Sequence, residues 1–462
     1  MRYEPVGRPV GTSQSDCYQQ GGTLKPEGLD REFIVVGENL HATRVLLRGG
    51  KHVVAAASGE EAIRYTSTAG ETRHLIIPED IKRRQDYQEG RVKHVAVAVR
   101  AAMSDHEPAA SEGREYLRTL AGRQIKTGSD YLDLNVDEVS LRHHEQVAAM
   151  RWLVRFIEGL SPVPLSIDSS NTDTIRAGID ACEGKAGPPL LNSASLERLE
   201  ALDLAREKGL PVIVTAAGES GMPENTEQRL ANASRIVEAA LAKGLAVESL
   251  HVDALVFPIS VDIQFGNHYL EAIRQLRAKF GEKIHLTGGL SNVSFGLPCR
   301  RLVNEVFISL AVEAGIDGGI VDSVANDLNH VFLADKTSRP YELARDMLLG
   351  LDRNCKNFLR AYRKGEMEPV NQRQSQMVKY QILYWKHLAS QVKVFEEGRK
   401  PVSRQLPGRL AEIDQLAMEQ GLTGTDDYLN HWRWTDRQER EGSAESVADS
   451  LVTELMQQGK PT

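Results

Sequence analysis

The sequence predicts an α/β fold, a (β/α)8 TIM barrel with a long insertion after its first strand and a helical C-terminal appendage. Three observations predict it: short β-branched or apolar runs recur from residue 33 onward, helix-like stretches separate them, and Asp or Asn residues collect where the runs end. The eight runs are Phe33 to Asn39, Tyr131 to Asp137, Pro164 to Ser170, Pro189 to Ser195, Pro211 to Ala217, Leu250 to Pro258, Lys283 to Asn292 and Gly318 to Val324. Stretches such as LERLEALDLAREKGL lie between them, with apolar residues three and four apart and a terminating Gly. Repeated alternation of this kind favours a closed barrel over an open sheet.

Residues 1–30 are polar and rich in Gly, Ser and Gln, which reads as an extended N-terminal arm. The barrel is expected over 31–350. Its first run ends near Asn39 while the second begins at Tyr131, far more chain than a loop and one helix need. Glu115 to Thr127 reads as the regular first helix, leaving about residues 45–110 as an insertion that should lie over the catalytic face as a lid or docking surface. The remainder, 351–462, is expected to be a helical extension. Met377, Tyr380, Leu383, Tyr384, Leu388, Val392 and Phe395 fall at mostly helical spacing within 371–397.

Composition narrows the function. A hydrophobic fraction of 41% supplies a full core, and a formal net charge of -8 argues against binding a nucleic-acid backbone. Cys17, Cys182, Cys299 and Cys355 are widely spaced and suggest neither a disulfide framework nor a zinc site. No stretch reads as a signal peptide or membrane span, so a cytoplasmic location is the expectation.

The polar residues at the run ends carry the functional signal. Strands of a parallel barrel are buried, so Asp133, Asn135, Asp168, Asn192 and Asp253, with Ser291 and Asn292 after the seventh run, must be hydrogen-bonded or functional. They ring the mouth where barrel enzymes gather their catalytic groups. Capping of the following helix is the simpler reading only for Ser169, Ser170 and Asn171. Carboxylates and amides with few cations suit a ring bearing several N–H donors and a carbonyl. A phosphorylated substrate would call for a Gly-rich loop with a basic residue, and no GxxxxGK[ST] occurs. No metal is expected, because the histidines are not spaced with these acids as ligand sets.

LDLNV, LSIDSSN, LLNSAS, VDALVFPIS and above all GGLSNVSFGLP resemble the pterin-binding methyltransferases that act between methyltetrahydrofolate and corrinoid proteins, within the superfamily of dihydropteroate synthase-like barrels. The resemblance spans roughly residues 33–330. It implies that Asp168, Asn192 and Asp253 hold the pterin and that Asn292 reaches N5, the nitrogen that carries the methyl group. Tetrahydrofolate or 5-methyltetrahydrofolate would be the substrate and a homodimer the assembly. A separate corrinoid protein would bring the cobalamin, since no DxHxxG corrinoid module is present. Methyl transfer in either direction is compatible with the same side chains. Glu38 and Asn39 match the family's start of the first strand only in part, and His41 falls where an amide is expected. Asp137 stands where a Gly is usual. Two other functions share these features: a dihydropteroate synthase-type condensation, which uses the same Asp, Asn, Asp set, and a non-catalytic folate-binding subunit. The seventh run, GGLSNVS, lacks the Ser-Arg-Lys type motif of the synthases, and a simple carrier has no need of a group at N5.

Overall fold

The computed structural model describes residues 32–326, 328–332, 334–367, 377–395, 401–422, 428–441 and 444–458; the arm expected over 1–30 lies outside the described residues. The chain divides into two compact units at Tyr362/Arg363.

In the first unit eight strands follow the expected runs: β1 (Ile34–His41), β2 (Tyr131–Asn135), β3 (Leu165–Asp168), β4 (Leu190–Ala194), β5 (Val212–Thr215), β6 (Leu250–Asp253), β7 (His285–Thr287) and β8 (Gly318–Val321). They pair in parallel in the order β7-β6-β5-β4-β3-β2-β1-β8. The barrel closes where the Asp317 N–H donates to the Leu286 carbonyl at 3.1 Å and the Ile320 N–H to the Gly288 carbonyl at 2.9 Å. Both faces of each strand are covered, which is why the runs read as nearly continuous apolar sequence. Val36, Leu190, Ile213 and Ile320 cluster together as buried side chains.

The helices are α1 (Glu107–Lys126), α2 (His143–Glu158), α3 (Thr172–Ala181), α4 (Glu200–Lys208), α5 (Thr226–Ala242), α6 (Phe265–Phe280), α7 (Arg300–Ala314) and α8 (Arg339–Leu348). Their ends follow local chemistry. The Asn171 side chain accepts from the Asp173 N–H at 2.9 Å and caps α3, in line with the capping read from the sequence. Gly209 ends α4 at φ 66°, a left-handed conformation that glycine adopts without penalty.

The stretch between β1 and α1 is an insertion with structure of its own. Val45–Leu47 pairs antiparallel with Arg91–Lys93, and Val53–Ala55, Glu61–Thr66 and Thr72–Ile76 form a three-stranded meander. The meander meets the barrel at α1: Glu112 accepts the Tyr65 hydroxyl at 2.5 Å and Arg73 Nη2 at 2.7 Å. A buried helix, His94–Ala102, lies against α1 at Gly113, where a Cβ would come within 2.6 Å of the Ala98 carbonyl and the Ala102 N–H. Lys93 pairs with Glu138 at 2.7 Å, and Arg84 donates to the Glu138 and Val139 carbonyls, so the insertion also touches the loop that leaves β2. α1 therefore begins eight residues before the Glu115 start expected from periodicity.

Opposite the mouth a second set of charges locks the barrel seam. Asp317, just before β8, is fully buried and accepts from Arg277 Nη2 at 2.9 Å, His285 Nδ1 at 2.8 Å and the Leu286 N–H at 2.7 Å. Arg277 also donates to the carbonyls of Gly281 and Ile284 at 2.8 and 2.7 Å.

The second unit corrects the helical reading of the C-terminal extension. Residues 377–395, read as part of a helix, form an antiparallel hairpin, Met377–Trp385 with Leu388–Phe395. Val402–Gln405, Trp432–Trp434 and Gln438–Glu441 complete a five-stranded sheet. The deciding pattern is the alternation in VKYQI and QVKV, which puts Val378, Ile382, Val392 and Val394 on one buried face. Helices do occur: Ala444–Gln458 covers that face with Val447, Ala448 and Leu451, while Ile413 and Ala417 of Arg409–Glu419 pack with Trp385.

Candidate functional site

The parallel register lines up the polar residues. His41 pairs with Asn135, Asn135 with Asp168, and Asp168 with Asn192, so four adjacent strands present one row at the C-terminal end of the barrel. Asp133, two residues before Asn135 on the same face of β2, is fully buried below that row.

Each group in the row has a defined partner. Asn135 Nδ2 donates to Asp168 Oδ2 at 2.7 Å, and Asn192 Nδ2 donates to Asp133 Oδ1 at 3.3 Å. His41 Nε2 meets Asp133 Oδ2 at 2.5 Å and lies 3.7 Å from Asp168 Oδ2. Burial opposes a charge on His41, but Asp133, Asp168 and Glu38 outweigh it and raise the imidazole to about 9. Burial together with the Asp133 carboxylate pushes Asp168 up, against the pull of His41 and Asn135.

Asp253 stands across the mouth at the end of β6. Its Oδ1 accepts from the Leu255 N–H at 2.7 Å, and the Gly289 N–H also bonds its carboxylate. Burial raises it to about 6, with these N–H groups and Arg229 pulling the other way. Leu255 takes φ 67°, an uncommon conformation for a non-glycine residue. Arg229 of α5 is fully buried between Phe257 and Phe265, 4.9 and 5.6 Å from the ring centres, and donates to the Leu255 carbonyl at 3.3 Å.

β7 is shorter than the run Lys283 to Asn292. It ends at Thr287, and Leu290–Ser294 forms a 3-10 turn that carries Ser291 and Asn292. The Asn292 side chain lies over Gly289, with Nδ2 2.8 Å from the place a Cβ would take there. Gly289 has φ -72°, which alanine tolerates. Gly289→Ala therefore acts only by pushing the Asn292 amide aside: a reaction that uses this amide slows by about tenfold, the value of one modest hydrogen bond, while ligand affinity holds. Matching losses of rate and affinity in steady-state kinetics would contradict that.

Glu38 is held by an arginine, and so is the backbone of Ser291. Glu38 accepts from Arg44 Nη1 at 3.0 Å, Arg44 also pairs with Asp322, and Asp322 accepts from Asn39 Nδ2 at 2.8 Å. The Ser291 carbonyl accepts from Arg300 Nη2 at 3.1 Å. The structure thus gathers Asp133, Asn135, Asp168 and Asn192 on one side of the mouth and Asp253 with Asn292 near Gly289 on the other. The Glu38 carboxylate and the Ser291 backbone carbonyl are bonded to arginines.

The sequence reading did not assign His41, Arg44, Arg229, Arg300 or Asp322 to the site. Asp322 carried the same signal as the others, an Asp at the end of an apolar run. His41 also corrects the expectation that no histidine stands with these acids as a ligand set: donor atoms of His41, Asp133 and Asp168 lie within 4.8 Å of one another.

Residues 110–322 match the pterin binding enzyme family, and residues 383–458 match a family described as virulence factor. The chain is 27% identical over 263 residues to a methylcorrinoid:tetrahydrofolate methyltransferase of Eubacterium limosum, covering 55% of this chain and 90% of that protein. It is 29% identical over 217 residues to the methionine synthase of Mycobacterium tuberculosis, covering 44% of this chain and only 18% of that enzyme. Among solved structures, a dihydropteroate synthase from Stenotrophomonas maltophilia is similar with a TM-score of 0.41 and 19% identity, over 48% of this chain and 86% of that one. No helix among the described residues is long and apolar enough to cross a membrane. The ring of acids and amides at the barrel mouth lies within the segment, residues 110–322, that matches the pterin binding enzyme family, and the relatives that cover this segment are methyl-transferring enzymes by name.

Proposed function

We propose that the chain moves a methyl group between N5 of tetrahydrofolate and the cobalt of a corrinoid carried by a separate protein. The observation that carries this reading is the pairing of Asp253 with the turn bearing Asn292, opposite the Asp168 and Asn192 row.

Asp168 has one oxygen held by Asn135 and a partly exposed side chain, which suits it to accept from the N–H groups of an aminopyrimidine edge. Asn192 spends its amide N–H on Asp133, leaving its carbonyl as an acceptor. Asp253 meets the opposite side of the ring. The Asn292 amide has no side-chain hydrogen bond among the described residues, and in this reading it donates to N5. A tertiary amine is a poor leaving group, so a donor whose bond strengthens as charge develops at N5 lowers the barrel's chemical barrier in both directions. The corrinoid supplies the metal that exchanges the methyl group.

Titration calorimetry with 5-methyltetrahydrofolate tests the binding half. Asp168→Asn turns an acceptor oxygen into a donor facing ligand donors, and a hydrogen bond to a charged group contributes about 1.5–3 kcal/mol, so affinity falls roughly 10- to 150-fold. Unchanged affinity in that variant would remove Asp168 from the pterin set.

A further inference from the structure

We propose that His41 is a positioning residue for the folate: its imidazolium, held between Asp133 and Asp168, neutralises the buried carboxylate so that Asp168 keeps its charge and meets the ligand as an acceptor. This rests on the folate reading given above.

The geometry supplies the argument. Asp133 is fully buried, its Oδ1 takes only a long contact from the neutral Asn192 amide, and its Oδ2 meets His41 at 2.5 Å. Asp168 stands close enough for its oxygen to lie 3.7 Å from the same ring nitrogen. Two carboxylates this near each other in a barrel mouth do not both ionise without a cation, and one of them takes up a proton instead. The carboxyl that faces the ligand is Asp168, so its protonation removes the acceptor that the N–H edge needs.

The charged groups that face His41 are few. Glu38 on its own strand is held by Arg44, Asp133 faces it from β2 and Asp168 from β3, with Asp137 beyond β2 adding to the field at Asp168. His41 is thus the cation shared by Asp133 and Asp168.

The test is the pH dependence of 5-methyltetrahydrofolate affinity from pH 5.5 to 10, for the wild type, His41→Asn and His41→Asn/Asp133→Asn, with thermal melts to confirm folding. In the wild type, binding strengthens with rising pH as Asp168 loses its proton. In His41→Asn this limb moves up by about one pH unit, which is tenfold weaker binding along it. The double variant has no second carboxylate to neutralise, and its limb moves back down. A His41→Asn profile that matches the wild type would overturn the inference alone, as would wild-type binding that a chelator abolishes and Zn2+ restores. Absence of folate binding by the wild type at every pH would overturn the folate reading and this inference with it.

Discussion

Asn292→Ala is expected to carry out the proposed methyl transfer ~10²- to 10⁴-fold more slowly than the native chain while binding folate almost as well. The asymmetry follows from where the amide acts. In the ground state N5 is a weak acceptor and the hydrogen bond contributes little; as the N–CH3 bond breaks, basicity builds at N5 and the same bond strengthens. Removing a donor of this kind lowers kcat and kcat/KM together and leaves ligand affinity standing. Asn292 is set up for it by the turn Leu290–Ser294, whose preceding Gly289 lets the amide lie close to the backbone and gives its own N–H to Asp253. Single-turnover kinetics beside equilibrium binding separate the two effects, and equal losses in both would make Asn292 an ordinary binding group.

The largest expected effect on stability lies at the other end of the barrel. Asp317→Ala costs roughly 3–5 kcal/mol, because it removes a fully buried carboxylate that Arg277, His285 and the Leu286 N–H all bond at the seam. The same change removes the acceptor of the Leu286 N–H and of His285. Burial raises the Asp317 carboxyl, but the His285 ring, the Leu286 N–H and Arg277 together bring it below its ordinary value. A carboxyl depressed in the folded state contributes stability that is complete above its unfolded value, about 3.9, and fades as pH falls through the folded value. Urea unfolding therefore shows the native chain losing this contribution only in acid. In Asp317→Ala the deficit is present at neutral pH and shrinks as the solution is acidified. A deficit below about 1 kcal/mol at pH 7 would mean that the seam is held by its backbone bonds alone.

The barrel was legible because its strands are short, buried on both faces and punctuated by polar ends, a pattern that few other folds produce. Asp168, Asn192 and Asp253 stood out as polar residues in positions that reject them. What joins them was less visible. The His41 to Asp133 contact depends on the relative register of β1 and β2 across a register shift between Gly37 and Leu40, with an insertion of dozens of residues between the strands. Arg229 is hidden in an otherwise ordinary amphipathic helix, and Asp317 sits in the unremarked turn before β8. The hairpin at Met377–Phe395 was misread for a definable reason. A shift in pairing at Leu383/Tyr384 breaks the alternation, and the large residues Tyr380, Leu383 and Tyr384 around the break fall three and four apart. The clue was the intact alternation on each side, carried by lysine and glutamine as much as by valine.

The most direct test of methyl transfer is an anaerobic mixture of the purified chain, 5-methyltetrahydrofolate and cob(I)alamin, followed through the cobalt absorption spectrum. Enzyme-dependent formation of methylcobalamin, or loss of added methylcobalamin when tetrahydrofolate is supplied instead, is the predicted result. Tight folate binding with no change at cobalt in either direction, with free cobalamin and with corrinoid proteins alike, would contradict the account.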